Sequence, residues 1–342
     1  DMYKIYWEDT KMEFSATAGT AGGSLKALFE VRDGDNLENF KGKVTKADSY
    51  SLTVENISID NIKSLNLPDK DGKITVNNIS YSYDSWEAQV DAQGNIKSVT
   101  FNLSKDKAIA DPEKTVAEGY LLNAGSAINA RGIPYYMTQL NEFVRNFSEM
   151  FNQIESKGQN LNGDTPPTFF EAITNTAKVY DFSESEAYSK LPDGQTATIN
   201  SSSNTYYRMT AANFSVNKDV MNDVSLFATS TDYVKTDSCD IVDELKKLQS
   251  EKTVYRGDKA ESFLETIISN VSVDTEKAET YNKLYSNLEQ TIANQRTSVS
   301  GVDEDEEALN LVKFQYSYNM ASKIISVMNQ MLDKLINDTG VA

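Results

Sequence analysis

The sequence predicts an α+β protein in which long antiparallel helices form a rod-like helical domain beside β-rich domains, one of them an inserted antiparallel β module. Three patterns predict it. Residues 45–103 alternate apolar and polar positions between turn signals. Residues 134–157 repeat apolar side chains every three or four positions, and residues 304–336 sustain such a stripe over many turns. The expected divisions are 1–36 (first part of a core domain), 37–112 (the β module), 113–194 (helical core), 195–238 (β-rich) and 239–342 (carboxy-terminal helical, coiled-coil region).

Taken in order, a Gly-rich turn, Ala18 to Gly23, leads into the apolar positions Leu25, Ala27, Leu28, Phe29 and Val31. Strand alternation then shows in Leu52–Ile57, Ile74–Val76, Trp86–Val90 and Val99–Leu103. Pro68–Gly72 and Ala92–Asn95 read as turns between them. A short helix is expected over 113–129. A clearer one, over 134–157, places Tyr136, Leu140, Phe143, Phe147, Met150 and Ile154 on one face. Ser156–Pro167 reads as a loop, and 195–203 and 206–214 read as strands. Short helices are expected at 239–251 and 258–270.

Two long helices close the chain. The first, 274–297, aligns Ala278, Tyr281, Tyr285, Leu288 and Ile292. The second, 304–336, aligns Ala308, Leu311, Phe314, Tyr318, Ala321, Ile325, Met328, Leu332 and Leu335, close to a heptad seam. Asp303 with Glu306 reads as a capping-box start, and the acids Glu304–Glu307 suit the positive helix end. At ~1.5 Å per residue this helix is about 50 Å long. Such a stripe needs a cover. The preceding helix, reached through the turn Ser298–Gly301, is expected to supply part of it.

Composition narrows the function classes. The 51 acidic and 33 basic residues give a net charge of −18, which disfavours nucleic acid and anionic lipid as partners. Histidine is absent and Cys239 is the lone cysteine, so the usual general bases and zinc ligands are missing. No apolar run reaches the ~20 residues of a membrane span. The amino end shows no signal-peptide anatomy, and the chain is expected to be a fragment that lacks a preceding amino-terminal helix.

The remaining chemical motifs read better as structure. Asp338-Thr339-Gly340 matches half of an aspartic-protease signature, but only one copy occurs and it follows a helix. Asp69–Ile74 echoes a calcium loop, yet that alignment puts Leu67 and Asn78 at ligand positions. Cys239 has no basic neighbour in sequence to activate it. Gly19, Gly22 and Gly23 lack a following Lys-Ser/Thr, and the Asn-x-Ser/Thr sites at Asn56, Asn102 and Asn213 carry little information. Tyr81, Tyr83 and Trp86, on strand-like segments, could form a carbohydrate or partner surface, although sheet packing explains them more simply. No catalytic constellation emerges; no cofactor or metal and no enzymatic activity are expected.

The carboxy-terminal segment carries a specific resemblance. Ser300-Gly301-Val302-Asp303-Glu304-Asp305-Glu306-Glu307, then Phe314-Gln315-Tyr316-Ser317-Tyr318, then the apolar run from Ile324 to Leu335, resembles the ending of flagellar rod, hook and hook-associated proteins. The Ser-Gly-Val form points to the hook-associated members. Gly22–Asp33 and the stretch from Ile133 through Asn152, with Gly158, Leu161, Asn162, Gly163, Phe169 and Phe170, are similar to the same family. The chain departs from the family in having Gln153-Ile154-Glu155 where a histidine often stands, and in the β module between residue 33 and the helix at 134.

The resemblance implies a structural subunit of the bacterial flagellum that joins hook to filament by head-to-tail axial assembly. The β module would then be a domain insertion facing outward. Implied partners are copies of itself in a helical ring, the hook protein, the second junction protein on the filament side and a flagellar export chaperone. The implied location is extracellular, reached through the flagellar secretion channel without a cleaved signal. The expected assembly interface is Leu311, Phe314, Tyr318, Ala321, Ile325, Met328, Leu332 and Leu335. The alternative reading is a surface adhesin or carbohydrate-binding module on a helical stalk.

Overall fold

A computed structural model describes residues 6, 8–11, 22–69, 71–105, 109, 119–125, 127–174, 176–185, 188, 190–235 and 237–338. The fold is α+β. The chain forms two compact units, Asp1–Ile267 and Ile268–Ala342. The Gly-rich turn before Gly22, Lys70 of the calcium-like segment and the Thr339-Gly340 pair lie outside the described residues.

In the first unit, helix α1 (Ser24–Asp33) precedes five antiparallel strands: β1 (Phe40–Asp48), β2 (Ser51–Glu55), β3 (Gly72–Val76), β4 (Ile79–Val90) and β5 (Ile96–Leu103). A sixth, β6 (Leu121–Ala124), pairs with both β1 and β3 and closes the set into a barrel, β3-β6-β1-β2-β5-β4-β3. This short strand corrects the later part of the helix expected over 113–129; residues 113–118 of that helix lie outside the described residues. The barrel therefore draws on residues beyond 112.

Closure depends on local irregularities. Asn77 and Asn78, at φ 50° and 62°, make the tight turn between β3 and β4. The register of β4 against β5 shifts between Tyr83 and Ser85, so the long strand bends; its first half pairs with β3. Its second half pairs with β8 (Ala197–Asn200), which follows in chain order after β7 (Phe170–Ala172). Alternation sends one face of every strand inward. Phe40, Val44, Leu52, Val54, Ile74, Tyr83, Trp86, Phe101 and Leu122 fill the interior, with Phe101 packed 5.5 Å from Phe40 and 5.1 Å from Tyr83 between ring centres.

The barrel leaves and rejoins the chain at one narrow neck. The Gly132 N–H donates to Gly34 O at 3.0 Å, and Asn36 N–H donates to Ala130 O at 3.0 Å. A Cβ on either glycine would collide with backbone carbonyls of Glu30, Val31 or Ala130. Only glycine lets the two strands of the neck touch.

Helix α2 (Ile133–Glu155) then passes beside the barrel. The apolar stripe expected on it packs against α4 (Asp240–Ser250) and the first turn of α5 (Ala260–Ser300): Ile154, Ile241, Leu248, Val254 and Ala260 form a second core with Phe143, Phe147 and Met150. Between α2 and α4 lie β9 (Phe214–Val216), paired with β7, and the short α3 (Lys218–Asn222). The hairpin β10 (Thr253–Tyr255) and β11 (Asp258–Lys259) leads into α5. Residues 206–214, expected as a strand, instead make a 3-10 turn at Tyr206–Arg208 before β9 begins.

The opposite, polar face of α2 is buried as well. Gln139, Glu142, Arg145, Glu149 and Asn152 are all within the interior. Burying such groups is costly without partners. Asn152 supplies one set: its side chain donates to Phe170 O and to the Tyr206 hydroxyl, both at 2.8 Å, and accepts from Phe170 N–H at 2.9 Å. Glu149 meets Lys63 Nζ at 2.6 Å.

The second unit contains most of α5 and all of α6 (Glu304–Asn337). The separate helices expected at 258–270 and 274–297 are one, α5. None of the described residues from Ile268 onward is buried. The expected antiparallel packing of these two helices is therefore not formed. Gly301 between them is not in the left-handed conformation that commonly reverses a helix end, and Asp303 is extended at φ −74°, ψ 111°.

Candidate assembly surface

Helix α6 begins as its sequence dictates. The Asp303 carboxylate accepts from Asp305 N–H at 3.0 Å and Glu306 N–H at 3.4 Å, satisfying amides that the first turn leaves unpaired. Glu304, Asp305, Glu306 and Glu307 stand at the positive end and Lys334 in the last turn, so the helix dipole is matched at both ends.

The predicted seam lies along one side of this helix and is open. Leu311, Phe314, Tyr318, Ile325, Met328, Leu332 and Leu335 are each between 50% and 75% exposed, and Ala321 is exposed with them. In α5, Tyr281, Tyr285, Leu288 and Ile292 are likewise exposed. Covering a large apolar side chain is worth about 1.5–3 kcal/mol, so a helix with this many open positions is built to be covered.

A second stripe was not singled out from the sequence. Leu309, Val312, Tyr316, Met320, Ile324, Val327 and Met331 are also exposed, roughly a third of a turn around the helix from the seam. The sequence carries its signal, since these positions also recur every three or four residues, but without the near-heptad spacing of the seam. A helix apolar on two sides suits a position between two neighbours.

The residues considered for other chemistry are placed differently. Tyr81, Tyr83 and Trp86 are at most 4% exposed and belong to the barrel core, so they form no surface for a sugar. Asp71, at φ 57°, leads into β3, where the calcium-like segment ends. Cys239 is exposed and precedes α4, and Asp338 caps the end of α6. Among the described residues no group of three or more His, Cys, Asp or Glu could hold a metal ion, and no helix is long and apolar enough to cross a membrane.

Comparison with known proteins places the open helix in context. Residues 293–338 match the family described as "Flagellar basal body rod FlgEFG protein C-terminal". The chain is also similar to flagellar hook-associated protein 1 of Bacillus subtilis (strain 168), 21% identical over 341 residues and 97% of this chain. It spans 56% of that relative's length. The resemblance to flagellar hook-associated proteins read from the sequence is thus supported on both the whole chain and its carboxy-terminal helix.

Proposed function

We propose that this relative of the flagellar hook-associated proteins joins hook to filament as a structural subunit assembled head to tail along the flagellar axis. The observation that carries the reading is the coincidence of two things in one segment: residues 293–338 match a flagellar rod family, and the same segment exposes a continuous apolar seam. Leu311, Phe314, Tyr318, Ala321, Ile325, Met328, Leu332 and Leu335 are the residues that pack against helices of neighbouring subunits. The helices α5 and α6 form the rod-like axial part, the barrel faces outward, and the protein performs assembly with no turnover.

In this reading the partners are further copies in a helical ring, the hook protein, and the second junction protein on the filament side. An export chaperone shields the apolar stripes before the protein leaves through the flagellar secretion channel without a cleaved signal. Such shielding follows from the physical hazard of exposed apolar helices in a crowded cell.

Deleting the gene in its host tests the role. Hooks without filaments, and flagellin released as soluble monomer into the medium, are expected. Normal filaments and normal motility would contradict it.

A further inference from the structure

A cleft of about 650 Å³ opens between the carboxy-terminal half of α2, strand β7 and the loop 179–185. Its wall contains Glu171, which is only 5% exposed and has no hydrogen-bond or ion-pair partner among the described residues. Its surroundings take much of the water from it, which is costly for a carboxylate that has no partner of its own. Burial and the neighbouring Asp219 push its carboxyl above the usual range, while Lys218 acts weakly in the other direction. The second buried acid in the wall, Glu149, is already matched by Lys63 at 2.6 Å. Asp181 adds a further negative charge at the exposed rim, its carboxylate held by Ser183 N–H at 2.9 Å and Ser183 Oγ at 2.7 Å.

Aromatic rings complete the lining. Phe182 and Tyr206 stack with centroids 4.3 Å apart and planes within 16°. Tyr180 already carries the Arg208 guanidinium at 4.2 Å, which shows that a ring of this cleft can hold a cation on its face. An uncompensated carboxylate beside aromatic rings favours a cation over a neutral ligand such as a sugar.

We propose that this cleft binds an organic cation, an ammonium or guanidinium group, with Glu171 as its counter-ion and the Phe182–Tyr206 pair at its flank. The group can come from a lysine or arginine side chain of another polypeptide or from a free polyamine. The inference is independent of the assembly role of α6.

Isothermal titration of the full chain tests it with four probes: N-acetyl-arginine methylamide, spermidine, the neutral isostere N-acetyl-citrulline methylamide, and methyl glucoside. Saturable binding of the cations, about millimolar in affinity, is expected, with none for the two neutral probes. Stronger binding of the capped arginine assigns the source to a polypeptide; stronger binding of spermidine assigns it to a free polyamine. Glu171→Gln should weaken cation binding by about tenfold or more, as loss of a charge-assisted contact does. Asp181→Asn, at the exposed rim, should weaken it by about twofold to threefold and serves as the test if Glu171→Gln does not fold. No saturable cation binding, equal binding of a neutral probe, or cation affinity unchanged in a folded variant would overturn the proposal.

Discussion

The Arg145 guanidinium lies over the Tyr207 ring, 4.5 Å from its centre. From there Arg145 Nε donates to Met209 O at 2.9 Å, and Nη1 donates to Leu65 O at 2.7 Å and Lys63 O at 3.1 Å. Tyr207 in turn accepts from Leu67 N–H at 3.0 Å and donates to Leu67 O at 2.6 Å, with its ring edge-on to Trp86 at 4.9 Å. One residue of α2 thus binds the loop between β2 and β3, the turn at 206–209 and, through Tyr207, the barrel core. The barrel is fixed to α2 and does not hang from the neck alone.

Arg145→Met should therefore cost about 3 kcal/mol, because three carbonyls, two of them in buried contacts, lose a charged donor at once. Arg145→Lys should lose most of the same stability, since an ammonium cannot reproduce the planar fork and the stacking. Urea denaturation of both variants, followed by circular dichroism, reads the loss.

The neck makes a separate prediction. Gly132→Ala should destabilise the first unit by about 1–3 kcal/mol, as overpacking does, since the added Cβ collides with backbone carbonyls that have no room to move. Gly125→Ala provides a contrast: nothing lies within 4 Å of a Cβ there, and only the cost of its positive φ of 85° remains. Thermal melts of the two variants should separate, with Gly132→Ala the lower.

Glu155 gives a pH dependence of defined sign. Its side chain is 1% exposed and neither oxygen makes a hydrogen bond of normal geometry, although the Ala228 N–H approaches it. Burial pushes the carboxyl up to about 7. Because this pKa is raised in the folded state, the folded chain holds its proton longer than the unfolded chain does. The contribution is most favourable below the unfolded pKa of about 4.3 and declines as pH rises to about 7, by about 3 kcal/mol. Glu155→Gln removes the titration. The denaturation midpoints of variant and parent should converge near pH 4 and separate by pH 8, with the variant the more stable.

Much of the architecture was legible in the sequence, for reasons that differ by element. The strands over 45–103 declare themselves because each has one buried face, and alternation records it. Helix α6 declares itself through its seam and through Asp303, whose capping role the structure bears out in the hydrogen bonds to Asp305 and Glu306. Strand β6 was not legible. Four residues, Leu121–Ala124, are too few to show a period, and their partners Phe40–Lys43 and Ile74–Val76 are distant in sequence.

The buried polar face of α2 was hidden for a related reason. Arg145, Glu149 and Asn152 look like a solvated face, and their partners, Leu65 and Lys63 in one loop and Phe170 in β7, are distant in sequence. Tyr81, Tyr83 and Trp86 invited a surface reading because strand aromatics can bind ligands, but closure of the barrel puts them inside. The fold-back of α5 onto α6 was expected because an apolar stripe needs cover; the sequence of one chain does not say whether that cover lies within it.

If the α6 seam is an assembly surface, charges placed on it should abolish filaments without unfolding the chain. A host strain lacking the gene is complemented with the parent gene, with Ile325→Asp plus Leu332→Asp in the seam, or with Ser326→Asp on the polar side between the stripes. Filaments are then counted by electron microscopy, and the stability of each purified chain is compared by thermal melting. Since the seam residues are exposed, the melting of all three chains should agree; the parent and Ser326→Asp should restore filaments, and the seam variant should leave bare hooks. Filaments restored in full by the seam variant would mean that the seam is not an assembly surface.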